Sequence, residues 1–185
     1  MFDVTPAHLH LLVNHVPVIG SVAALMLLVW AMIRNNAELK RTALIGFVLV
    51  GISAFVADAT GDGAAHMIKG LPEIERAKVH EHEEAADYAK MASGVLAAVS
   101  LVGLILATRK KDAPGATSAD EYARHHHEPN KWIMIIVLLI GLFDLSVLSR
   151  VAYLGGAIRH PEIVNGYQAP PAGTAADSHH SEESH

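Results

Sequence analysis

The sequence contains no cysteine among its 185 residues. That absence excludes disulfides, thiolate-bound metal ions, cysteine-ligated iron–sulfur clusters and covalently attached c-type haem. Basic residues are not in excess either: the formal net charge is −5, so the composition gives no indication of nucleic-acid binding. Phosphate-binding loops and nucleophile motifs are also missing from the sequence, which favours a redox or accessory subunit over an independent enzyme.

The main feature of the sequence is a series of long apolar runs. Apolar residues make up 51% of the chain and fall in blocks of about 20, the length at which a helix crosses a bilayer. The sequence therefore predicts an all-α, integral membrane four-helix bundle of up-down-up-down topology within residues 1–165. Its spans are expected at about 9–33, 41–59, 85–108 and 131–158. The third span should be the second half of a longer helix, and the second should end in a Gly-Asp-Gly turn at 61–63.

The connections between the spans predict the orientation in the membrane. Lysine and arginine are concentrated between spans one and two and in the 109–130 loop, so both connections should be cytoplasmic. Both termini are then extracytoplasmic. Residues 166–185 are rich in His, Ser and Glu and are predicted to form a disordered tail.

Histidine is unusually abundant, with 13 residues against 14 lysines and arginines together. Counting outward from the cytoplasmic ends of the spans, at about 1.5 Å per residue, places several polar side chains at one level near the outer edge of the hydrocarbon. Other polar side chains should lie one helical turn or more farther from the bilayer centre. The inner level comprises His15, Asp58, Lys90 and Arg150, and the outer level includes His8, His10, His66, His80, His82, Glu84 and His160.

Helical spacing indicates which of these groups share a face. His80, Glu84 and Asp87 form one stripe on the third helix. Since charge facing lipid is costly, this stripe is expected to face the bundle interior. Asp144 lies near the middle of span four, with Ser53 or Ser100 as candidate hydrogen-bond partners.

The first functional hypothesis is a haem b site in which two imidazoles bind the iron axially. It would pass electrons between quinol and an extracytoplasmic partner, within a larger membrane redox complex. His15 is the expected inner ligand, and His66, His80 and His82 are candidates for the opposite side. Lys90, Arg150 and Arg159 are candidates for pairing with the propionates.

Two alternatives remain open. A non-haem Cu, Zn or Fe ion could be held by mixed nitrogen and oxygen ligands, with His8, His10, His15, His66, His80, Glu84 and His160 as candidates. A cofactor-free accessory subunit would instead use its histidines as pH-sensitive structural groups.

Two glycine-to-histidine segments, 61–66 and 155–160, echo each other and suggest an internal repeat. Four segments, 12–17, 59–64, 80–85 and 155–163, carry a family resemblance. Over residues 8–163 the chain resembles small four-span bacterial membrane proteins of the DUF2231 type. The resemblance implies a multi-pass protein of the bacterial inner membrane. Relatives fused to Rieske-type domains imply redox work at the outer face, which favours haem over a bare metal ion. The resemblance supplies no ligand set.

Overall fold

The computed structural model describes residues 5–68, 76–108 and 129–159, and over these ranges the ordered elements are all helices. Four helical stretches are long and apolar enough to cross a membrane, which confirms the predicted all-α, multi-pass class. The first stretch is divided in two. The helices are α1 (Pro6–Val13), α2 (Val16–Ile33), α3 (Ala37–Ile68), α4 (Arg76–Thr108) and α5 (Lys131–Arg159).

The division between α1 and α2 follows from Pro17. Proline has no N–H and its ring obstructs the preceding turn, so α1 ends at Val13 and α2 begins at Val16 with the proline in its first turn. The first helix starts in the same way, because Pro6 follows the N-cap Thr5, whose hydroxyl accepts from the backbone N–H of His8 at 3.3 Å. The predicted kink at Pro17 is therefore confirmed.

The Gly61-Asp62-Gly63 segment is where the structure departs from the sequence prediction. It is helical, and α3 continues through it to Ile68. A Cβ added at Gly61 would lie 3.4 Å from the His10 ring, and one at Gly63 would lie 3.0 Å from Pro6. The glycines therefore let α1 approach α3 closely, and this packing outweighs their poor helix propensity.

The helices form a ring in which α3 packs against α1 and α2, α4 against α3, α5 against α4, and α2 against α5. The broken α1–α2 span thus lies diagonally opposite α4. Large side chains fill the end of the bundle that holds the α2–α3 connection, where the buried cluster includes Leu28, Leu44, Phe47, Leu96 and Met134. Smaller residues occupy the other end, with Ala54, Ala65, Val79, Ala85, Ala89 and Ala157 among those buried. We call this second end the histidine end, because His10 and His82 lie there.

The two halves of the bundle repeat each other. The interval from His10 to His82 equals that from Ser21 to Ser93, and the interval from Gly61 to Gly155 equals that from Ala57 to Val151. Burial follows the same register: His10 and His82 are both half-buried, Ser21 and Ser93 are both buried, and Gly61 and Gly155 are both half-buried. The hairpin formed by α1, α2 and α3 therefore corresponds to the hairpin formed by α4 and α5. This agrees with the repeat suggested by the two glycine-to-histidine segments.

Candidate functional site

His10 extends from α1 towards α3. Its Nδ1 donates to the carbonyl oxygen of Ala57 at 3.0 Å, and the hydroxyl oxygen of Thr60 lies 3.2 Å from the same nitrogen. The Thr60 hydroxyl itself donates to the backbone carbonyl of Ala57 at 2.9 Å, so its oxygen is left to accept. Since a carbonyl oxygen can only accept, Nδ1 carries the proton, and in the neutral ring Nε2 bears the free lone pair.

His82 makes the corresponding contact between α4 and α5. Its Nδ1 donates to the carbonyl oxygen of Val151 at 3.2 Å. A Cβ added at Gly155 would lie 3.2 Å from Cε1 of this ring, and one added at Gly61 would lie 3.4 Å from Cε1 of His10. In both halves, therefore, the acceptor carbonyl lies four residues before the glycine that makes room for the ring.

The two imidazoles extend from helices that lie diagonally opposite each other in the bundle. Both have the same tautomer, with the proton on Nδ1 held by a backbone carbonyl. Neither Nε2 has a hydrogen-bond partner among the described residues. A neutral imidazole in this state is a nitrogen ligand, and its Nδ1 contact fixes the ring orientation in the way that hydrogen bonds orient metal-bound histidines.

The other predicted ligands that the structure describes lie on the outside of the bundle. His15 is exposed at the junction of α1 and α2, and its side chain does not cap α2. His8 is exposed beside Thr5, with Nδ1 2.9 Å from the hydroxyl oxygen, and His66 is exposed near the end of α3. His80 is 73% exposed and lies 3.3 Å from Glu84, which is 63% exposed.

The stripe formed by His80, Glu84 and Asp87 was expected to face the bundle interior, and that prediction is wrong, because all three residues are exposed. The interior face of α4 is instead defined by residues at seven-residue spacing, namely His82, Ala89, Leu96 and Gly103. Burying this small and apolar face decides the rotation of the helix and leaves the charged stripe outside. The structure thereby separates His82 from His80, which the sequence could not do.

The basic residues proposed for propionates have other partners. Lys90 lies 2.8 Å from Asp58 on α3 and 2.8 Å from Asp87 on α4. Arg150 is exposed and lies 3.4 Å from Glu81. The Arg159 side chain and His160 lie outside the described residues, so their predicted roles stay predictions.

A second polar centre lies deeper in the bundle, around Asp144. This carboxyl group is fully buried. Oδ1 accepts from the Ser93 hydroxyl at 2.6 Å, and Oδ2 accepts from the Ser21 hydroxyl at 3.3 Å. The expectation of Ser53 or Ser100 as its partner was wrong. The Ser53 hydroxyl donates to a carbonyl of its own helix, that of Val50, at 2.8 Å.

The sequence contained a signal for His10 and His82 that the charge pattern concealed. His10, Pro17, Ala24 and Ala31 follow one another at seven-residue spacing, as do the four interior residues of α4. A stripe of small residues at that spacing is typical of a helix face that packs closely against its neighbours. Extending each stripe outward reaches His10 and His82, whereas the competing pair His8 and His15 belongs to the exposed face.

No group of three or more His, Asp or Glu side chains suited to a metal ion occurs within the described ranges. No protein-family model, curated protein or solved structure matches the chain. The resemblance to the DUF2231 type therefore stays a prediction, and the geometry of His10 and His82 carries the functional argument.

Proposed function

We propose that the chain is a haem b protein of the membrane, with His10 and His82 as the two axial ligands and electron transfer as its function. The observation that carries this proposal is the matched state of the two imidazoles. Each comes from one half of the bundle, each is oriented by a backbone carbonyl through Nδ1, and each keeps Nε2 for a ligand. We place His10, rather than His15, opposite His82.

The number of ligands favours haem over a bare ion. Two imidazoles are all that a six-coordinate haem takes from the protein, because the porphyrin supplies the other four nitrogens. A catalytic zinc site takes three protein ligands and a structural one takes four. A pair of imidazoles across a bundle matches the two protein ligands that haem requires.

The small side chains near the rings also favour a macrocycle. The buried residues at the histidine end are mainly alanines, whereas the opposite end holds Phe47, Leu44 and Met134. A porphyrin needs small neighbours on the helices that flank it. The two glycines beside the rings, Gly61 and Gly155, allow the histidines to approach α3 and α5 closely.

The haem would exchange single electrons, and the protein would set its potential through the two Nδ1 hydrogen bonds and the apolar surroundings. We propose that quinol supplies the electrons and that an extracytoplasmic redox subunit receives them. On this assignment the histidine end is extracytoplasmic, both termini are outside, and the protein is part of a larger complex in the bacterial inner membrane.

Visible spectroscopy of the purified protein tests the proposal. Expression with haem supply should give a pigment whose reduced form has a sharp α band, and pyridine extraction should recover one haem b per chain. A protein without porphyrin would refute the proposal. Elemental analysis of that protein would then distinguish a Cu, Zn or Fe site from a cofactor-free subunit.

Matched variants test the ligands. His10→Ala and His82→Ala should each abolish the low-spin spectrum, because six-coordination needs both rings. His15→Ala and His80→Ala remove exposed rings at neighbouring positions and should leave the spectrum unchanged. A spectrum lost in His15→Ala but kept in His10→Ala would contradict the ligand assignment.

A further inference from the structure

Asp144 breaks the internal repeat at the point where the two halves are otherwise most alike. In the register that relates α3 to α5, the residue corresponding to Asp144 is Val50, and both are buried. The two serines that donate to the carboxyl group, Ser21 and Ser93, are themselves a corresponding pair. The α4–α5 half thus has an aspartate where the other half has a valine. Each half supplies one of the two serine hydroxyls that contact the aspartate.

The acid lies beneath the histidine end. Val151, whose carbonyl holds His82, is seven residues farther along α5, which corresponds to about 10 Å. Asp144, Leu148 and Val151 follow one helical face, and this face is buried or half-buried throughout. A carboxyl group in this position is within electrostatic range of an iron bound between the two rings, because a buried or half-buried face screens the interaction only weakly.

The groups that face Asp144 are neutral. From α2 and α4, the helices packed against α5, the two serine hydroxyls contact it. The nearest cation along α4 is Lys90, which is bonded to Asp58 and Asp87 instead. His10 and His82 lie at the end of the bundle beyond it. The described structure therefore gives the carboxylate hydroxyl donors and no cation in contact with it.

We propose that Asp144 is a redox-linked proton site that binds one proton when the haem gains one electron; this inference rests on the haem assignment above. The reductant supplies one electron, ferric iron becomes ferrous, and the Asp144 carboxylate binds one proton from water to become a carboxylic acid. The negative charge added by the electron is thereby balanced inside the bundle. Unpaired ionisable groups within a span commonly serve such proton transfers.

Infrared difference spectroscopy of the haem-loaded protein tests this step directly. The reduced-minus-oxidised spectrum should contain a positive carboxylic-acid band, and Asp144→Asn should lose it while keeping the visible haem spectrum. The midpoint potential of the wild type should fall as the pH rises, and the slope should be smaller in Asp144→Asn. Asp58→Asn is the matched control, since it removes another carboxyl of a span and should keep the band.

The internal repeat supplies a second variant. Asp144→Val combined with Val50→Asp moves the carboxyl group to the corresponding position on α3, which packs against both helices that carry the serines. The band and the steeper slope should return in this double variant. A haem-loaded Asp144→Asn protein with the wild-type band and slope would overturn the inference and leave the haem assignment intact. If Asp144→Asn does not fold, an Asp144→Glu protein that carries haem and keeps the carboxylic-acid band at the wild-type frequency would overturn it equally. A wild type without haem would instead refute the proposed function.

Discussion

The hydroxyls of Ser93 and Ser100 form a natural comparison, because both side chains are fully buried on the same face of α4, two turns apart. The Ser93 hydroxyl donates to Asp144 at 2.6 Å. The Ser100 hydroxyl is buried without a hydrogen-bond partner in the described part of the chain. Replacing each by alanine removes the same atom from the same kind of environment, so the difference in stability isolates the hydrogen bond.

The magnitudes follow from the geometry. Hydrogen bonds between membrane helices average about 0.6 kcal/mol and reach about 1.7 kcal/mol, and hydrogen bonds to charged groups contribute about 1.5–3 kcal/mol. At 2.6 Å the Ser93 bond falls in the short range typical of a charged acceptor. We therefore expect Ser93→Ala to lower the free energy of unfolding by about 2 kcal/mol. Ser21→Ala removes the longer bond of 3.3 Å and should cost about 0.5 kcal/mol by the same scale.

Ser100→Ala should behave in the opposite way. A buried hydroxyl without a partner carries a desolvation penalty of about 1–3 kcal/mol, so its removal should leave the stability unchanged or raise it slightly. The assay is unfolding of the purified protein in mild detergent by added sodium dodecyl sulfate, followed by far-ultraviolet circular dichroism. A double-mutant cycle of Ser93→Ala with Asp144→Leu, which removes the acceptor, should give a coupling of about 1 kcal/mol or more.

Two results would refute this reasoning. One is a loss of stability in Ser100→Ala as large as that in Ser93→Ala, which would mean that packing of the serine, rather than its hydrogen bond, decides the effect. The other is a coupling of zero between Ser93 and Asp144.

Further predictions concern other helix contacts and use the same unfolding assay. Gly51→Ala should lower the free energy of unfolding by about 1–3 kcal/mol, because its Cβ would lie 2.5 Å from an alanine Cβ and 2.9 Å from a backbone oxygen of α4. Gly156→Ala should leave the free energy of unfolding unchanged, since nothing lies within 4 Å of the Cβ that it adds. Equal losses of stability in Gly51→Ala and Gly156→Ala would contradict the close-packing argument. Lys90→Met should cost about 1–2 kcal/mol, because it leaves the half-buried Asp58 unpaired. Arg150→Met removes a side chain that is 67% exposed and should lower the free energy of unfolding by less than about 0.5 kcal/mol. A larger loss in Arg150→Met than in Lys90→Met would show that burial does not govern the strength of these ion pairs.

The sequence was sufficient to predict the helices, because apolar runs of membrane length depend little on tertiary contacts. The break at Pro17 was predictable for the same reason, since it follows from the covalent structure of one residue. The continuation of α3 through Gly61 and Gly63 was not predictable. The glycines weaken a helix locally, and only their contacts with His10 and Pro6 explain why the helix persists.

The candidate site was predicted only in part. The sequence indicated the end of the bundle at which histidines gather, and His10 and His82 were among its candidates. Choosing between His80 and His82 requires the rotation of α4, which is decided by the close packing of Ala89 and Leu96 against other helices. The partners of Asp144 depend likewise on the relative heights of three helices, and the height of a helix within a bundle is not encoded in its own sequence.

The position of Asp144 on α5, the last of the described helices, has a consequence for how the protein is made. Ser21 and Ser93 enter the membrane on α2 and α4, before α5 has been synthesised. An aspartate at the centre of a span opposes insertion by about 2.5–3.5 kcal/mol, which the leucine, isoleucine and valine residues of α5 must offset. The serines of the earlier helices offer that aspartate its hydrogen bonds as it arrives. The two hairpins can therefore be inserted one after the other, but the centre of the bundle is completed only when the final helix joins it.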